Sequence, residues 1–164
     1  METRQNHVLY IEDHDDTREL VKLVLAQCNY RVTTGSTIED ALKLARENQF
    51  DLYMLDSWLP DGSGIDLCKR LREFNPGVPI MFLSGAAYEA DKEAAINSGA
   101  QGYLIKPADL DVLCRQVSKL IDEFPISRVR IEGAAVCPSN LRGSPADSVS
   151  VQPGSTSDKP TVKH

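Results

Sequence analysis

The sequence has few basic residues, few aromatic residues and no long hydrophobic run. Its 18 Lys and Arg are outnumbered by 24 Asp and Glu, so the formal net charge is −6 at pH 7. This balance argues against a nucleic-acid-binding surface, because phosphate binding needs an excess of Lys and Arg on one face. No apolar stretch approaches the roughly 20 residues that span a bilayer, and the amino-terminal METRQNH lacks the profile of a signal peptide. We predict a cytoplasmic protein that contacts neither nucleic acid nor membrane.

Cysteine is also sparse. The four cysteines are Cys28, Cys68, Cys114 and Cys137, and none of them form a CxxC pair. Cys68 and Cys114 lie among apolar residues in segments with helical spacing. We therefore predict reduced thiols rather than a disulfide or a zinc site.

Short apolar runs alternate five times with amphipathic segments. Strands are predicted at His7–Glu12, Tyr30–Thr34, Asp51–Asp56, Pro79–Ser84 and Gln101–Ile105. Helices are predicted from Asp15 or Asp16 to Cys28, and at Ser36–Asn48, Gly64–Phe74, Tyr88–Asn97 and Ala108–Phe124. The alternation predicts an α/β fold, a doubly wound five-stranded parallel sheet with helices on both faces.

Two helices show how the apolar spacing assigns a buried face. In the first helix it places Leu20, Val21, Val24 and Leu25 on one face, and in the last helix it includes Leu110 among the core positions. The second helix opens on a Ser36-x-x-Glu39 pattern, which predicts a capping box.

The composition changes near Arg128. Roughly half of Gly133–His164 is Gly, Pro, Ser or Thr, and large apolar residues are scarce. We predict a domain over residues 1–127 and a disordered tail over residues 128–164. The segment Arg128–Val136 is left open as a strand or a docking segment.

Charged and hydroxyl side chains follow four of the predicted strands. The first ends in Glu12 and Asp13, the third in Asp56, the fourth in Ser84, and the fifth is followed by Lys106. One such residue alone would be unremarkable, because strands end at the surface, where charged side chains are common. The carboxyl ends of parallel strands meet at one edge, however, and ligands of open α/β sheets bind there. All five together therefore predict a site.

The chemistry of these residues is coherent. Clustered carboxylates repel one another unless a hard cation joins them, and Mg²⁺ prefers oxygen ligands. A carboxylate beside such an ion and an ammonium group can attack a phosphoryl group. Lys106 can offset charge on the phosphoryl oxygens, and Ser84 can donate a hydrogen bond. The sequence thus predicts Asp56 as a phosphoryl acceptor.

Four motifs carry a resemblance to a known family. In chain order they are YIEDHD, LDSWLPDGSG, PIMFLSG and GYLIKP. Over His7–Phe124 the sequence resembles the receiver domain of two-component response regulators. The resemblance implies a flavodoxin-like sheet of strand order 2-1-3-4-5. It also implies a signalling domain, not an enzyme beyond its own phosphorylation and slow dephosphorylation.

The resemblance implies a role for each matching residue. Asp56 is the phosphoacceptor. The implied Mg²⁺ ligands are Glu12 acting largely through water, Asp13, Asp56 and the backbone carbonyl of Trp58. The implied phosphate-binding and switch residues are Ser84, Lys106 and Tyr103, with a cis bond between Lys106 and Pro107 that aims the ammonium group. His14 is expected to face solvent.

Three other functions are alternatives to a phosphorylation switch. A phosphatase of the haloacid-dehalogenase type needs a second Asp two residues after the nucleophile, where this chain has Trp58. A degenerate receiver used as a scaffold is disfavoured by the intact acid cluster with Ser84 and Lys106. A DNA-binding regulator is disfavoured because the tail lacks a helix-turn-helix pattern. The expected partners are a histidine kinase or phosphotransfer protein, and an unidentified downstream protein.

Overall fold

The first strand, β1 (His7–Ile11), has every residue buried because it lies inside the sheet and helices cover both of its faces. It pairs in parallel with β2 (Arg31–Gly35) on one side and with β3 (Leu52–Leu55) on the other. A strand buried on both faces needs a continuous apolar run, and the sequence of β1 is HVLYI.

The computed structural model describes residues 4–125. Beyond β1, β2 and β3, its strands are β4 (Trp58–Leu59), β5 (Gly62–Ser63), β6 (Ile80–Ser84) and β7 (Gly102–Ile105). Its helices are α1 (Asp15–Gln27), α2 (Ile38–Glu47), α3 (Gly64–Phe74), α4 (Glu89–Asn97) and α5 (Leu110–Glu123). None of these helices is long and apolar enough to cross a membrane.

The main sheet is parallel throughout and has the order β2-β1-β3-β6-β7. Counting only its five strands, this is the predicted order 2-1-3-4-5. The short strands β4 and β5 form a separate antiparallel hairpin directly after the end of β3. The predicted tail over residues 128–164, with Arg128–Val136, lies outside the described residues.

Each face of the sheet has its own hydrophobic core. Residues of α2, α3 and α4 pack on one face with Leu9, Ile11 and Phe82. Residues of α1 and α5 pack on the other with Tyr10 and Met54. Alternate residues of β1 enter the two cores, as the period of two along a strand requires.

The capping box of the second helix is displaced by one residue from its predicted position. Thr37 is the N-cap, and its hydroxyl accepts a hydrogen bond from the amide of Asp40 at 3.0 Å. The Asp40 carboxylate in turn accepts from the amide of Ser36 at 3.2 Å. Asp40 therefore does what was predicted for Glu39, because the N-cap is Thr37 and the helix begins one residue later than the pattern predicts.

The prediction that all cysteines are reduced thiols is wrong for two of them. Cys28, just after α1, forms a disulfide with Cys114 in α5, with a Cα–Cα distance of 6.5 Å. The two helices pack side by side on one face of the sheet. Because 86 residues separate the cysteines, their spacing in the sequence gives no sign of this proximity. Cys68 is a free, buried thiol, as predicted.

Candidate functional site

The sheet brings the predicted site residues to one edge. Glu12 follows β1 and is fully buried, Asp56 follows β3 and is 7% exposed, and Ser84 is the buried last residue of β6. Lys106 follows β7, and its amide donates to the carbonyl of Ser84 at 2.8 Å. The remaining strand, β2, contributes the Gly35 carbonyl, which accepts from the amide of Glu12 at 3.1 Å.

Lys106 contacts two carboxylates. Its ammonium nitrogen forms a close ion pair with Oε2 of Glu12 and lies 3.5 Å from Oδ1 of Asp56. The Lys106 side chain is 23% exposed, whereas the Glu12 side chain is fully buried. One cation thus offsets two acids in a place that water reaches poorly. The bond between Lys106 and Pro107 is cis, as predicted.

The backbone fixes Asp56 on both sides. Its amide donates to the carbonyl of Ile11 at 3.0 Å, and its Oδ1 accepts from the amide of Ser57 at 2.8 Å. Gly64, at the start of α3, packs directly against its carbonyl oxygen. A Cβ on Gly64 would lie 2.0 Å from that oxygen, so only glycine allows α3 to begin here.

The surroundings of Asp56 act on its pKa in opposite directions. Burial raises the pKa of this carboxyl above its ordinary value, Lys106 lowers it, and the charge of Glu12 raises it. The net direction is upward. Lys106 favours the ionised form that a nucleophilic carboxylate needs, against the other two effects.

Glu12 is held by three donors. Besides Lys106, the hydroxyl of Tyr10 donates to its Oε2 at 2.8 Å, and the amide of His14 donates to its Oε1 at 3.2 Å. Tyr10 is fully buried, and burial together with the Glu12 charge raises the pKa of its phenol. The phenol therefore stays protonated and acts as a donor.

Glu12, Asp13 and His14 form a group of potential metal ligands, one atom of each lying within 4.8 Å of the others. The His14 side chain is 76% exposed, as predicted, and its Nδ1 is 2.9 Å from Oδ1 of Asp13. Hydrogen bonding to Asp13 raises the pKa of His14. The carboxylates of Glu12, which is fully buried, and of Asp13, which is partly exposed, supply the hard oxygen donors that suit Mg²⁺.

The hairpin β4–β5 follows Asp56 in the chain and contains Trp58, whose backbone carbonyl is a predicted Mg²⁺ ligand. The Trp58 side chain is 70% exposed, so its ring lies at the surface. The hairpin is joined to α2 by Asp61, whose carboxylate accepts from the amides of Ile38 at 2.8 Å and Glu39 at 3.1 Å. Asp61 thereby satisfies two otherwise unpaired N–H groups at the start of a distant helix.

Ser84 and Tyr103 meet at Ala86. The Ser84 hydroxyl accepts from the amide of Ala86 at 3.1 Å, and the Tyr103 hydroxyl donates to its carbonyl at 2.7 Å. The Tyr103 ring is half-buried and stacks on Phe82, with ring centroids 6.0 Å apart. The two predicted switch residues therefore share one loop residue as a partner.

Three contributors were not predicted from the sequence. Tyr10 lies in the predicted strand His7–Glu12, Gly64 begins the predicted helix Gly64–Phe74, and Asp61 lies between predicted elements. Tyr10 had a recognisable signal, because it precedes Glu12 by two residues and so shares its face of β1. Asp61 had none, since its partners are more than 20 residues away.

Comparison with known proteins agrees with this geometry. Residues 8–118 match the model of the response regulator receiver domain family. The transcriptional regulatory protein AfsQ1 of Streptomyces coelicolor is 35% identical over 114 residues, which are 70% of this chain and 50% of AfsQ1. The response regulator ArlR of Staphylococcus aureus is 29% identical over 118 residues, or 72% of this chain and 53% of ArlR. The chain thus spans about half the length of these curated relatives.

Solved structures give the same result. A putative response regulator from Chloroflexus aurantiacus superposes with a TM-score of 0.70 at 30% identity, covering 73% of this chain and 99% of that one. The receiver domain of HemR from Leptospira biflexa superposes with a TM-score of 0.67 at 32% identity, covering 71% and 94%. The strand order, the matched region and these likenesses agree, and this chain belongs to the response regulator receiver domain family.

Proposed function

We propose that the domain is a phosphorylation switch in which Asp56 accepts a phosphoryl group from a partner's phosphohistidine. The observation that carries the proposal is the position of Asp56, a carboxylate 3.5 Å from the Lys106 ammonium at the sheet edge where Glu12 is also buried. An acid so placed is a costly structural feature, and phosphoryl transfer gives it a use.

In the proposed step, a carboxylate oxygen of Asp56 attacks phosphorus as the bond from phosphorus to the histidine nitrogen breaks. The nitrogen keeps the electron pair, and the product is an acyl phosphate on Asp56. Lys106 offsets the negative charge of the transferred group. Ser84, buried at the adjacent strand end, can turn its hydroxyl toward a phosphoryl oxygen.

The residues at the site fit a magnesium ion. Asp13 is the proposed direct ligand, Glu12 acts through water, and Asp56 and the Trp58 carbonyl complete the protein's share. Bound there, Mg²⁺ would neutralise charge on the phosphoryl oxygens. The carboxylates of Glu12 and Asp13 support this assignment, since each offers oxygen ligands at one point of the edge.

The proposed output begins at Ala86. A hydrogen bond from Ser84 to the phosphoryl group would compete with its present bond to the Ala86 amide, and Tyr103 holds the carbonyl of the same residue. Movement of this loop residue would release Tyr103 and alter the surface of α4, β7 and α5. A phosphoryl group adds a charge of about −1.5 to −2, enough to drive such a local change.

The partners follow from the family and from this chemistry. A histidine kinase or phosphotransfer protein supplies the phosphoryl group, and an unidentified protein, or a further relay component, receives the signal. That the chain contacts no nucleic acid stays a prediction, since AfsQ1 is named a transcriptional regulatory protein.

The acceptor is tested by incubating the full chain with a small acyl phosphate donor and Mg²⁺, followed by intact-mass spectrometry. One phosphoryl group should appear on the wild-type chain and none on Asp56→Asn, because an amide is a poor nucleophile. Asp61→Asn is the matched control, since that carboxylate lies five residues further on and caps α2. It should still be labelled. Equal labelling of wild type and Asp56→Asn would refute the proposal.

The metal site is tested by titrating Mg²⁺ while following the fluorescence of Trp58, the single tryptophan of the chain. Asp13→Asn should weaken Mg²⁺ binding. Asp15→Asn should not, because Asp15 is 83% exposed and pairs with Arg18. If Asp13→Asn titrates as the wild type does, Asp13 is not a ligand.

A further inference from the structure

Tyr10 directs its hydroxyl along β1 toward the phosphorylation site. It lies two residues before Glu12, so both side chains are on the same face of the sheet. Its ring is fully buried in the core beneath α1 and α5, opposite Met54 of β3. Among the described residues, the one hydrogen-bond partner of its hydroxyl is Oε2 of Glu12, at 2.8 Å.

A phenylalanine would fill the same apolar space. The hydroxyl adds nothing to packing, and a buried hydroxyl without a partner is costly. Its presence at the centre of the sheet therefore needs an explanation beyond the core, and the contact with Glu12 supplies one. The hydroxyl reaches from the hydrophobic core to the first acid of the site.

Glu12 needs such a restraint more than an aspartate would. Glutamate has one more rotatable bond, so its carboxylate can occupy several positions at the end of a strand. Both of its oxygens are held. Oε2 accepts from Tyr10 and Lys106, and Oε1 accepts from the amide of His14 at 3.2 Å. Of these donors, Tyr10 is the one inside the hydrophobic core, where packing leaves its ring little freedom.

We propose that Tyr10 is a positioning residue that fixes the Glu12 carboxylate in one rotamer. Through Glu12 it holds Lys106 at its distance from Asp56 and orients the acid that serves the metal. The part of this inference that concerns the metal rests on the proposed function, whereas the part that concerns the Glu12 rotamer does not. Outer hydrogen-bond partners of metal-binding groups typically change metal affinity about 10–100-fold when removed.

Tyr10→Phe tests the proposal because it removes only the hydroxyl. In its crystal structure grown without Mg²⁺, the Glu12 side chain should occupy a different rotamer or more than one, and Lys106 should lose its close contact with Oε2. In solution, the Mg²⁺ dissociation constant, read from Trp58 fluorescence, should rise about tenfold. An unchanged, single Glu12 rotamer in the variant overturns the proposal, whatever the metal titration gives.

Tyr53→Phe is the matched control. Tyr53 is also buried in the sheet, on β3. Its hydroxyl accepts a hydrogen bond from Asn75 Nδ2 at 2.7 Å, and Asn75 is not a site residue. Burial raises its pKa to about 12. Its variant should keep the wild-type Glu12 rotamer and Mg²⁺ affinity. A loss of affinity equal to that of Tyr10→Phe would mean that any buried tyrosine hydroxyl has this effect, and would overturn the positioning role.

A test in the Glu12→Asp variant distinguishes a positioning role of the Tyr10 hydroxyl from an effect on core packing. In Glu12→Asp the carboxylate is one methylene shorter and withdraws from the Tyr10 hydroxyl. Adding Tyr10→Phe there should change Mg²⁺ affinity by less than about twofold, because contacting residues couple and separated ones do not. An equal loss in both backgrounds would show a packing effect and overturn the proposal. If the wild type itself binds no Mg²⁺, the proposed metal site fails, and the crystallographic rotamer comparison still decides the role of Tyr10.

Discussion

Lys106 is paired more closely with Glu12 than with Asp56. Its ammonium nitrogen is in close contact with Oε2 of Glu12 and 3.5 Å from Oδ1 of Asp56. Both acids are buried, so this one cation offsets two charges that would otherwise repel each other. The lysine proposed to bind phosphate therefore also stabilises the fold, and the two roles can be measured apart.

Lys106→Met should destabilise the domain by about 1–3 kcal/mol, because it leaves two buried carboxylates without the cation that offsets their charge. Mg²⁺ should reduce the loss, since a bound cation offsets the same carboxylates. Urea unfolding with and without Mg²⁺ measures both effects. Lys119→Met is the control, because Lys119 is exposed and lies 3.9 Å from Glu123. The free energy of unfolding of Lys119→Met should stay within about 0.5 kcal/mol of the wild-type value. A similarly small change for Lys106→Met would contradict the structural role.

Asp56→Asn should stabilise the domain at neutral pH. Burial raises the pKa of Asp56 above its ordinary value. At pH values between the ordinary pKa of the unfolded state and the raised pKa of the folded state, the folded state therefore binds more protons than the unfolded state. The stability that this group contributes is therefore present at low pH and is lost as the pH rises through its folded pKa. Asparagine carries no charge and avoids that loss.

Thermal unfolding across the pH range measures this effect. The melting temperature of Asp56→Asn should exceed that of the wild type by a few degrees at neutral pH, and the difference should shrink toward about pH 4. The control is Glu93→Gln, which removes an exposed acid of α4 and should change the melting temperature little at any pH. A difference for Asp56→Asn that grows as the pH falls would contradict the prediction.

The sheet and the residues at its edge could be predicted because their signals are local. Each central strand is a short apolar run, and Glu12, Asp56 and Lys106 directly follow such runs. The burial of two helix residues was predicted wrongly. Leu20 is 55% exposed and Leu110 is 47% exposed, although both fit the apolar spacing. Spacing identifies a face of a helix, but not where that face extends beyond the sheet it covers.

The features that the sequence did not predict depend on tertiary contacts. The Cys28–Cys114 disulfide joins residues 86 positions apart, and Asp61 caps a helix that begins 23 residues before it. Neither composition nor period carries information on such distant contacts. The hydrogen bond between Tyr10 and Glu12 differs, because the period of two places both side chains on one face of the sheet, and the structure adds the contact itself.

Gly64→Ala should destabilise the domain and disturb Asp56. A Cβ at this position would lie 2.0 Å from the backbone oxygen of Asp56 and 2.9 Å from the Phe82 ring, so α3 or the end of β3 must move. Overpacking of this kind costs about 1–3 kcal/mol. Gly77→Ala is the control, because a Cβ there meets nothing within 4 Å.

Urea unfolding measures the loss of stability, and labelling by an acyl phosphate donor measures the effect on Asp56. Gly64→Ala should be labelled more slowly than wild type even where it is fully folded, and Gly77→Ala should match the wild type in both measurements. A Gly64→Ala variant of wild-type stability and labelling rate would show that α3 does not rest on Asp56 as described.

The disulfide between Cys28 and Cys114 should make stability depend on reductant. It closes a loop of 86 residues between the end of α1 and α5, and a bond of this kind typically contributes about 2–4 kcal/mol. A reductant should therefore lower the free energy of unfolding of the wild type by that order. Cys28→Ser should have the lowered value already and should not respond to reductant.

Cys68→Ser separates the disulfide from a general effect of losing a cysteine. Cys68 is fully buried in α3 and is a free thiol, so its replacement should lower stability while leaving the response to reductant intact. Mass spectrometry of a non-reduced tryptic digest should also show the peptides of Cys28 and Cys114 joined. Disulfides are rare in reducing compartments, so the same digest of protein alkylated at cell lysis would report the redox state in which the domain works. A wild type that is indifferent to reductant, with no joined peptides, would show that the two helices are held by packing alone.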